Sequence, residues 1–196
     1  MPSEILHIAV AGLIATSLLG DDFGLRAFGV VTVATFAPDL DTFIGLVFPG
    51  THRAMLHNVF VPLLLALAVY YDTRRENGFI KNTRLAWVAV VSLAAAGIGL
   101  DLFFNGVNLF YPLHDAFYSL SGEVYLSNQR GIIQTVLENP QVGTTETMYY
   151  RTGVNPVRGA EPENVERVFL VATSGVELAV SLIGFGVVGF RLWENR

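Results

Sequence analysis

Residues 38–58 read PDLDTFIGLVFPGTHRAMLHN. This stretch holds two carboxylates, Asp39 and Asp41, and two imidazoles, His52 and His57, between segments apolar enough to lie in a bilayer. Ionisable side chains at membrane depth are rare and usually face a bundle interior or a water-filled cavity. Carboxylate oxygen and imidazole nitrogen are also common ligands of zinc and manganese. The stretch therefore predicts a metal site at a membrane surface.

The composition is that of a membrane protein. Of 196 residues, 52% are hydrophobic and only 15% are charged, and the mean hydropathy is +0.49. The net charge of −5 and the lack of a Lys/Arg cluster argue against a nucleic-acid partner. The absence of cysteine excludes disulfides and thiolate metal sites. The lipid bilayer is the expected partner, and the oligomeric state stays open.

Outward from this stretch, apolar segments predict an all-α integral membrane bundle of about five transmembrane helices. Pro62 lies inside the third segment and predicts a kink there. Residues 42–49 are too few to cross and predict a re-entrant or interfacial piece. The five predicted spans are 5–19, 25–37, 55–71, 85–104 and 168–190.

The chain turns polar after residue 112. Residues 113–166 are predicted to form one long outer loop, with one helix near 130–138. Glu161-Pro162 predicts the start of the last helix, since proline is tolerated at the first helical position. The expected organisation is a membrane core of residues 1–112, an extracytoplasmic loop of residues 113–166, and a fifth helix with its tail in residues 167–196.

Basic residues predict the orientation in the cell membrane. The short loop 72–84 carries four Lys/Arg residues, which keep such loops in the cytoplasm. With five spans, the C-terminus is then cytoplasmic and the N-terminus is outside. The candidate site residues would then all lie in the outer half of the membrane: His7, Asp39, Asp41, His52, His57 and Asp101.

Two further acids lie within apolar segments. Asp101, late in the fourth predicted span, costs about 2.5 to 3.5 kcal/mol on insertion scales unless a cation, a proton or strong donors offset it. Glu177 shares a helix face with Ser174 and Ser181, which favours a protonated, hydrogen-bonded glutamate. Taken alone, Asp39 is equally well a helix-ending turn residue, and His7 fits a satisfied interior histidine.

Together these motifs resemble a known family. The run Pro-Asp-Leu-Asp, the run His-Arg-Ala-Met-Leu-His-Asn, a histidine near the N-terminus and an Asp-bearing helix before Tyr111-Pro112 resemble the YdjM-like membrane-bound metal-dependent hydrolases of bacteria and archaea. The resemblance covers about residues 5–115. Gly97 stands where that family has a histidine four residues before the aspartate, and His114 or a water is the alternative ligand. The resemblance implies hydrolase activity.

The predicted function is metal-dependent hydrolysis of a lipid-linked or phosphate-containing substrate, with one or two divalent metals, zinc or manganese. The metal would activate water, His52 or Asp41 would act as general base, and Arg53 would hold an anionic group. His52 is alternatively a second metal ligand. The predicted metal ligands are His7, Asp39, His57 and Asp101, and the predicted catalytic residues are His52, Asp41 and Arg53.

Two other functions use the same buried groups. A small transporter or ion pathway would need discontinuous helices, and Pro62 and the broken second span offer them. A non-catalytic membrane subunit with a degenerate metal site is the other alternative, and Gly97 favours it.

Overall fold

The computed structural model describes residues 3–195 and is mostly helical. Four helical runs are long and apolar enough to cross a membrane: Glu4–Asp22, Leu25–Ile44, Thr83–Phe104 and Gly175–Glu194. The helices are α1 (Glu4–Leu19), α2 (Leu25–Phe36), α3 (Asp41–Ile44), α4 (Phe60–Thr73), α5 (Thr83–Ser92), α6 (Leu100–Phe104) and α7 (Gly175–Glu194), with 3₁₀ turns at Gly20–Asp22 and Ala37–Leu40 and a π segment at Leu93–Gly99.

The third predicted span forms an apolar helix that is shorter than the four candidate membrane-crossing runs. It forms α4, whose 14 residues reach only about 21 Å, less than the roughly 30 Å hydrocarbon core. Pro62 lies in the first turn of α4, where its missing N–H has no intrahelical acceptor to lose. Pro62 therefore helps to start this helix and does not interrupt it. A count of five spans remains a prediction that depends on α4.

The last helix begins later than predicted. Helix α7 starts at Gly175, so the prediction of a start at Glu161-Pro162 is wrong. The Ser174 hydroxyl accepts the N–H of Glu177 at 3.2 Å, and the Glu177 carboxylate accepts the N–H of Thr173 at 2.8 Å. This arrangement resembles a capping box, except that the Glu177 carboxylate reaches the residue before the N-cap Ser174, and it stabilises the start of the helix. Glu177 is thus a capping acid in the first turn.

Residues 113–166 contain strands, which corrects the all-α prediction. Four short strands, β1 (Phe117–Tyr118), β2 (Val124–Ser127), β3 (Gly131–Gln134) and β4 (Gln141–Gly143), form two antiparallel pairs, β1 with β4 and β2 with β3. The helix predicted near 130–138 is wrong, because β3 occupies that position. Gly131 enters the strand with a φ of +71°, and the β-branched Ile132 and Ile133 pair with Leu126 and Tyr125.

Helices α1 and α7 pack directly against each other. A Cβ on Gly12 of α1 would lie 2.5 Å from Cγ2 of Val188, and one on Gly184 of α7 would lie 2.8 Å from Cβ of Ala9. Small residues at these positions let the two backbones approach closely, which is the usual basis of helix association in lipid. The surrounding core is apolar and includes Leu19, Phe23, Val31 and Val88.

The helix ends fall into two groups at opposite ends of the bundle. At one end, Arg84 pairs with Asp22 at 3.1 Å, and the Asn195 side chain donates to the Phe23 carbonyl at 2.7 Å. The start of α1, the end of α2 and the end of α6 lie at the other end. There, a Cβ on Gly97 would lie only 2.7 Å from the Thr35 carbonyl oxygen, so glycine lets the end of α2 approach the helix that leads to Asp101.

Candidate metal centre

Asp41 organises the segment that carries the two histidines. Its carboxylate is fully buried, and it contacts Nδ1 of His52 at 2.6 Å through Oδ1 and Nδ1 of His57 at 2.9 Å through Oδ2. It also accepts the backbone N–H groups of Arg53 at 3.0 Å and Leu56 at 3.3 Å. Because an ionised carboxylate only accepts, each Nδ1 donates its proton to Asp41, and each Nε2 points away from that carboxylate. One carboxylate thus sets the orientation of two imidazoles.

The other nitrogen of His57 meets two more carboxylates. Its Nε2 lies 3.4 Å from Oδ1 of Asp39 and 3.2 Å from Oδ2 of Asp101, and His57 and Asp101 are fully buried. His57 Nε2 and Asp101 Oδ2 have no hydrogen-bond partner. Two ligands about 2.1 Å from one ion at a tetrahedral angle lie about 3.4 Å apart. The spacing of these three groups therefore fits a shared metal ion.

The contacts around Asp41 have the distances of hydrogen bonds and not the spacing of two ligands on one ion. At 2.6 and 2.9 Å, the two histidine–Asp41 distances are those of hydrogen bonds. They are shorter than the separation of two ligands on one ion. Asp41 is therefore hydrogen-bonded to both His52 and His57, whereas Asp39, His57 and Asp101 are spaced as ligands.

Carboxylates surround the free side of His57. The carboxylates of Asp39 and Asp101 lie on the Nε2 side of the ring, and that of Asp41 lies on the Nδ1 side. These negative surroundings favour any cation on the Nε2 side of the ring, a proton or a metal ion.

Arg53 offsets part of this negative charge. Its side chain is buried, its Nη2 contacts Oδ1 of Asp101, and its guanidinium lies 4.7 Å from the centre of the Tyr150 ring. Arg53 has a φ of +64°, an uncommon backbone conformation for a long side chain and typical of functional sites. The Tyr150 hydroxyl donates to the Asn105 carbonyl at 2.7 Å, and burial raises the pKa of Tyr150 to about 12. Tyr150 therefore remains protonated at neutral pH.

His7 enters the same cluster from α1. The side chain is buried, and neither ring nitrogen has a hydrogen-bond partner. Its Nε2 lies 3.7 Å from Oδ1 of Asp101, and its Nδ1 lies 3.7 Å from Oε2 of Glu4. Unpartnered polar atoms at such depth are costly and require an explanation.

A cavity of about 400 Å³ reaches the cluster. Asp39 and His52 are among its lining residues, and Nε2 of His52 is buried without a hydrogen-bond partner. The start of α1 forms one wall, and residues 151–154 and 168–171 form the others. The cavity therefore gives small molecules a route to Asp39 and His52.

The structure brings the predicted residues together at one end of the bundle. His7, Asp39, His57 and Asp101 are linked by the contacts above, with Asp41, His52 and Arg53 beside them. His114, the alternative ligand, is exposed, and its ring packs near Tyr118. At Gly97, the nearby Thr35 carbonyl leaves no room for a side chain without a shift.

Sequence reasoning missed three residues of this site: Glu4, Tyr150 and Arg151. Glu4 precedes His7 by three positions, a helical spacing that places both on one face, so a signal existed. Tyr150 and Arg151 lie in the long polar segment, where the sequence shows no periodicity that would direct them to the cluster.

Comparison with known proteins identifies the family of this chain. No curated protein and no solved structure matches the chain. The model of one family, described as YdjM inner membrane protein, matches residues 1–184 and so extends through the long polar segment into α7. Because this match spans most of the sequence, the chain belongs to the YdjM inner membrane protein family.

Proposed function

We propose that this protein is a membrane-embedded, metal-dependent hydrolase acting at the outer face of the cell membrane on a lipid-linked, phosphate-containing substrate. One observation carries the proposal: His57 Nε2 lies 3.4 Å from an Asp39 oxygen and 3.2 Å from an Asp101 oxygen, all at ligand spacing. These three residues would hold a divalent ion, zinc or manganese. When bound, such an ion lowers the pKa of its water and polarises a scissile bond.

Asp41 has a positioning role in this proposal. Both of its oxygens already accept hydrogen bonds, and the buried side chain is not among the residues that line the cavity. It fixes the tautomer of His57 and turns Nε2 towards Asp39 and Asp101, as outer carboxylates do in many metal sites.

His52 is the general base in this proposal. Its Nδ1–H is held by Asp41, and its Nε2 is unpartnered in a side chain that lines the cavity. A neutral imidazole with a free Nε2 can take a proton from a water or hydroxyl that enters there.

The cavity walls favour a substrate with an anionic head and an apolar chain. Arg151 is exposed on the wall and offers a guanidinium fork for phosphate, whereas Arg53 is buried against Asp101. Another part of the wall is apolar and consists of Val168, Phe169, Leu170 and Val171. We therefore assign anion binding to Arg151 and charge compensation of Asp101 to Arg53.

The orientation and the division of the chain belong to the same proposal. Residues 1–112 form the metal-site core, residues 113–166 cover it from outside, and residues 167–196 supply the last helix and a cytoplasmic tail. The four basic residues of loop 72–84 support this orientation. Within residues 113–166, Tyr150 lies against the Arg53 guanidinium and Thr152 contacts Thr42, which supports the role of this segment as a cover.

Metal content of the purified chain tests the proposal. We expect the full chain in detergent to retain zinc or manganese after loading and removal of free metal, and His57→Ala to lose most of it. His114→Ala is the matched control, because His114 is exposed and lies outside the cluster. A wild-type chain without metal, or equal metal content in His57→Ala and His114→Ala, would overturn the proposal.

A further inference from the structure

A second set of unpartnered buried atoms lies beside the first metal site. It consists of Oε2 of Glu4, both ring nitrogens of His7 and Oδ2 of Asp39, none of which has a hydrogen-bond partner. The His7 residue is only 1% exposed, so water in bulk does not satisfy its nitrogens. Buried polar atoms without partners are costly, so this set requires an explanation.

The geometry of this set is that of a cation site. Glu4, His7 and Asp39 each offer one ligand atom, and these atoms lie within 4.8 Å of one another. The His7 Nδ1 to Glu4 Oε2 distance is 3.7 Å, too long for a hydrogen bond and close to the separation of about 3.4 Å for two ligands on one ion. Glu4 and His7 face the same way because they are three residues apart in the first turn of α1.

Asp39 belongs to both sets. Its Oδ1 faces His57 Nε2 at 3.4 Å, whereas its Oδ2 is buried and has no hydrogen-bond partner. A carboxylate that directs one oxygen to each of two sites is suited to bridge two ions. In two-metal hydrolytic sites the ions lie about 3.5 to 4 Å apart, a distance that one carboxylate spans.

We propose that Glu4, His7 and Asp39 hold a second divalent cation, and that Asp39 bridges it to the ion held by His57 and Asp101. The inference rests on the proposed function, since it needs the first ion. Glu4 and Asp39 line the cavity, whereas His57 and Asp101 lie behind them. The second ion is therefore the one that faces an incoming substrate, and its preferred ligands there are phosphate oxygens.

Metal stoichiometry tests this inference. The full chain is purified in detergent, loaded with Mn²⁺ and freed of excess metal, and the Mn per chain is measured by mass spectrometry. We expect two ions in the wild type and one in Glu4→Gln, which keeps the size of the side chain and removes its charge. Glu163→Gln is the matched control, because Glu163 is exposed and distant in sequence from the cluster. It should retain two ions.

Electron paramagnetic resonance of the wild type gives a readout that needs no variant. Two Mn²⁺ ions bridged by a carboxylate show a spin-coupled spectrum, whereas a single ion shows the isolated six-line signal. One ion per wild-type chain with an uncoupled spectrum would overturn the second site and leave the proposed function intact. No bound metal would overturn the proposed function itself. Two ions retained by Glu4→Gln would overturn the assignment of Glu4.

Discussion

The Asp41 carboxylate accepts the Nδ1–H of His57 at 2.9 Å, inside a fully buried cluster. This contact turns the free nitrogen of His57 towards Asp39 and Asp101, the two other acids of the first site. A hydrogen bond between two residues of one motif thus determines whether groups from distant helices can share an ion.

Asp41→Asn should weaken metal binding without abolishing it. The amide keeps the shape but replaces one acceptor oxygen with a donor group, so one imidazole loses its partner. Loss of such outer contacts typically costs 10- to 100-fold in metal affinity, and we expect a decrease of that order. Competition titration against a chelator measures it.

Asp115→Asn is the control for this substitution. Asp115 is bound by Asn108 at 2.6 Å and by the Thr145 hydroxyl at 2.6 Å, outside the metal cluster. The Asp115→Asn variant should change the stability of the loop and leave the metal affinity at the wild-type value. Equal affinities in both variants would contradict the role that we give to Asp41.

Arg53→Met should destabilise the protein strongly. The variant leaves the buried Asp101 carboxylate without its guanidinium partner, and breaking a buried ion pair in this way costs about 3 to 5 kcal/mol. Unfolding in detergent, followed by circular dichroism in metal-free buffer, measures the free energy. Arg158→Met, at an exposed arginine, should change it by less than about 0.5 kcal/mol. Comparable losses in the two variants would refute the pairing.

Gly97→Ala should lower both thermal stability and metal affinity. The added Cβ would lie 2.7 Å from the Thr35 carbonyl oxygen and must push the end of α2 away from the helix that leads to Asp101. Overpacking of this kind typically costs about 1 to 3 kcal/mol. Gly186→Ala, where a Cβ would meet nothing within 4 Å, should be neutral or slightly stabilising. A tolerant Gly97→Ala variant would show that the two helices are free to separate.

Tyr150→Phe should change the alkaline stability of the protein. The raised pKa of Tyr150, about 12 against 10.0 in a free tyrosine, means that the folded state binds the phenolic proton more tightly than the unfolded state. This contribution to stability is fully present below pH 10 and is lost as the pH rises towards 12. The wild type should therefore lose stability more steeply than Tyr150→Phe over that range. Parallel pH profiles from unfolding experiments would contradict this.

Below pH 10, Tyr150→Phe isolates a single hydrogen bond. The ring keeps its contact with the Arg53 guanidinium, while the hydroxyl bond to the Asn105 carbonyl is lost. We expect a loss of about 0.5 to 1.5 kcal/mol. Tyr111→Phe, on a partly exposed tyrosine elsewhere, is the control and should have a smaller effect.

The cluster of acids and histidines could be predicted because burying such groups is costly. Asp39, Asp41, His52, His57 and Asp101 all lie in or beside apolar segments, where each needs a partner. Their roles could not be separated from sequence, since hydrogen-bond and ligand spacings differ by less than 1 Å. Asp41 differs from Asp101 in the structure because it contacts the Nδ1 of His57 at 2.9 Å, whereas Asp101 contacts the Nε2 at 3.2 Å and pairs with Arg53.

The polar half of the chain was less predictable. The β2–β3 hairpin depends on pairing between strands and on a glycine with positive φ, and single-sequence patterns do not specify either. The late start of α7 does have a local signal, Ser174 followed three residues later by Glu177. An apolar run from residue 168 masked that signal, because hydrophobicity alone does not separate a helix from an extended cavity wall.

Because α1 packs directly against α7, the helical bundle cannot be completed until the last described helix has been made. The helix that bears Glu4 and His7 is synthesised first among the described helices, whereas its neighbour across Gly12 and Gly184 is synthesised last. Until that neighbour is synthesised, the face of α1 that carries Gly12 lacks the helix against which it packs. Biogenesis therefore postpones completion of the bundle around the histidine of α1 until the final helix has inserted.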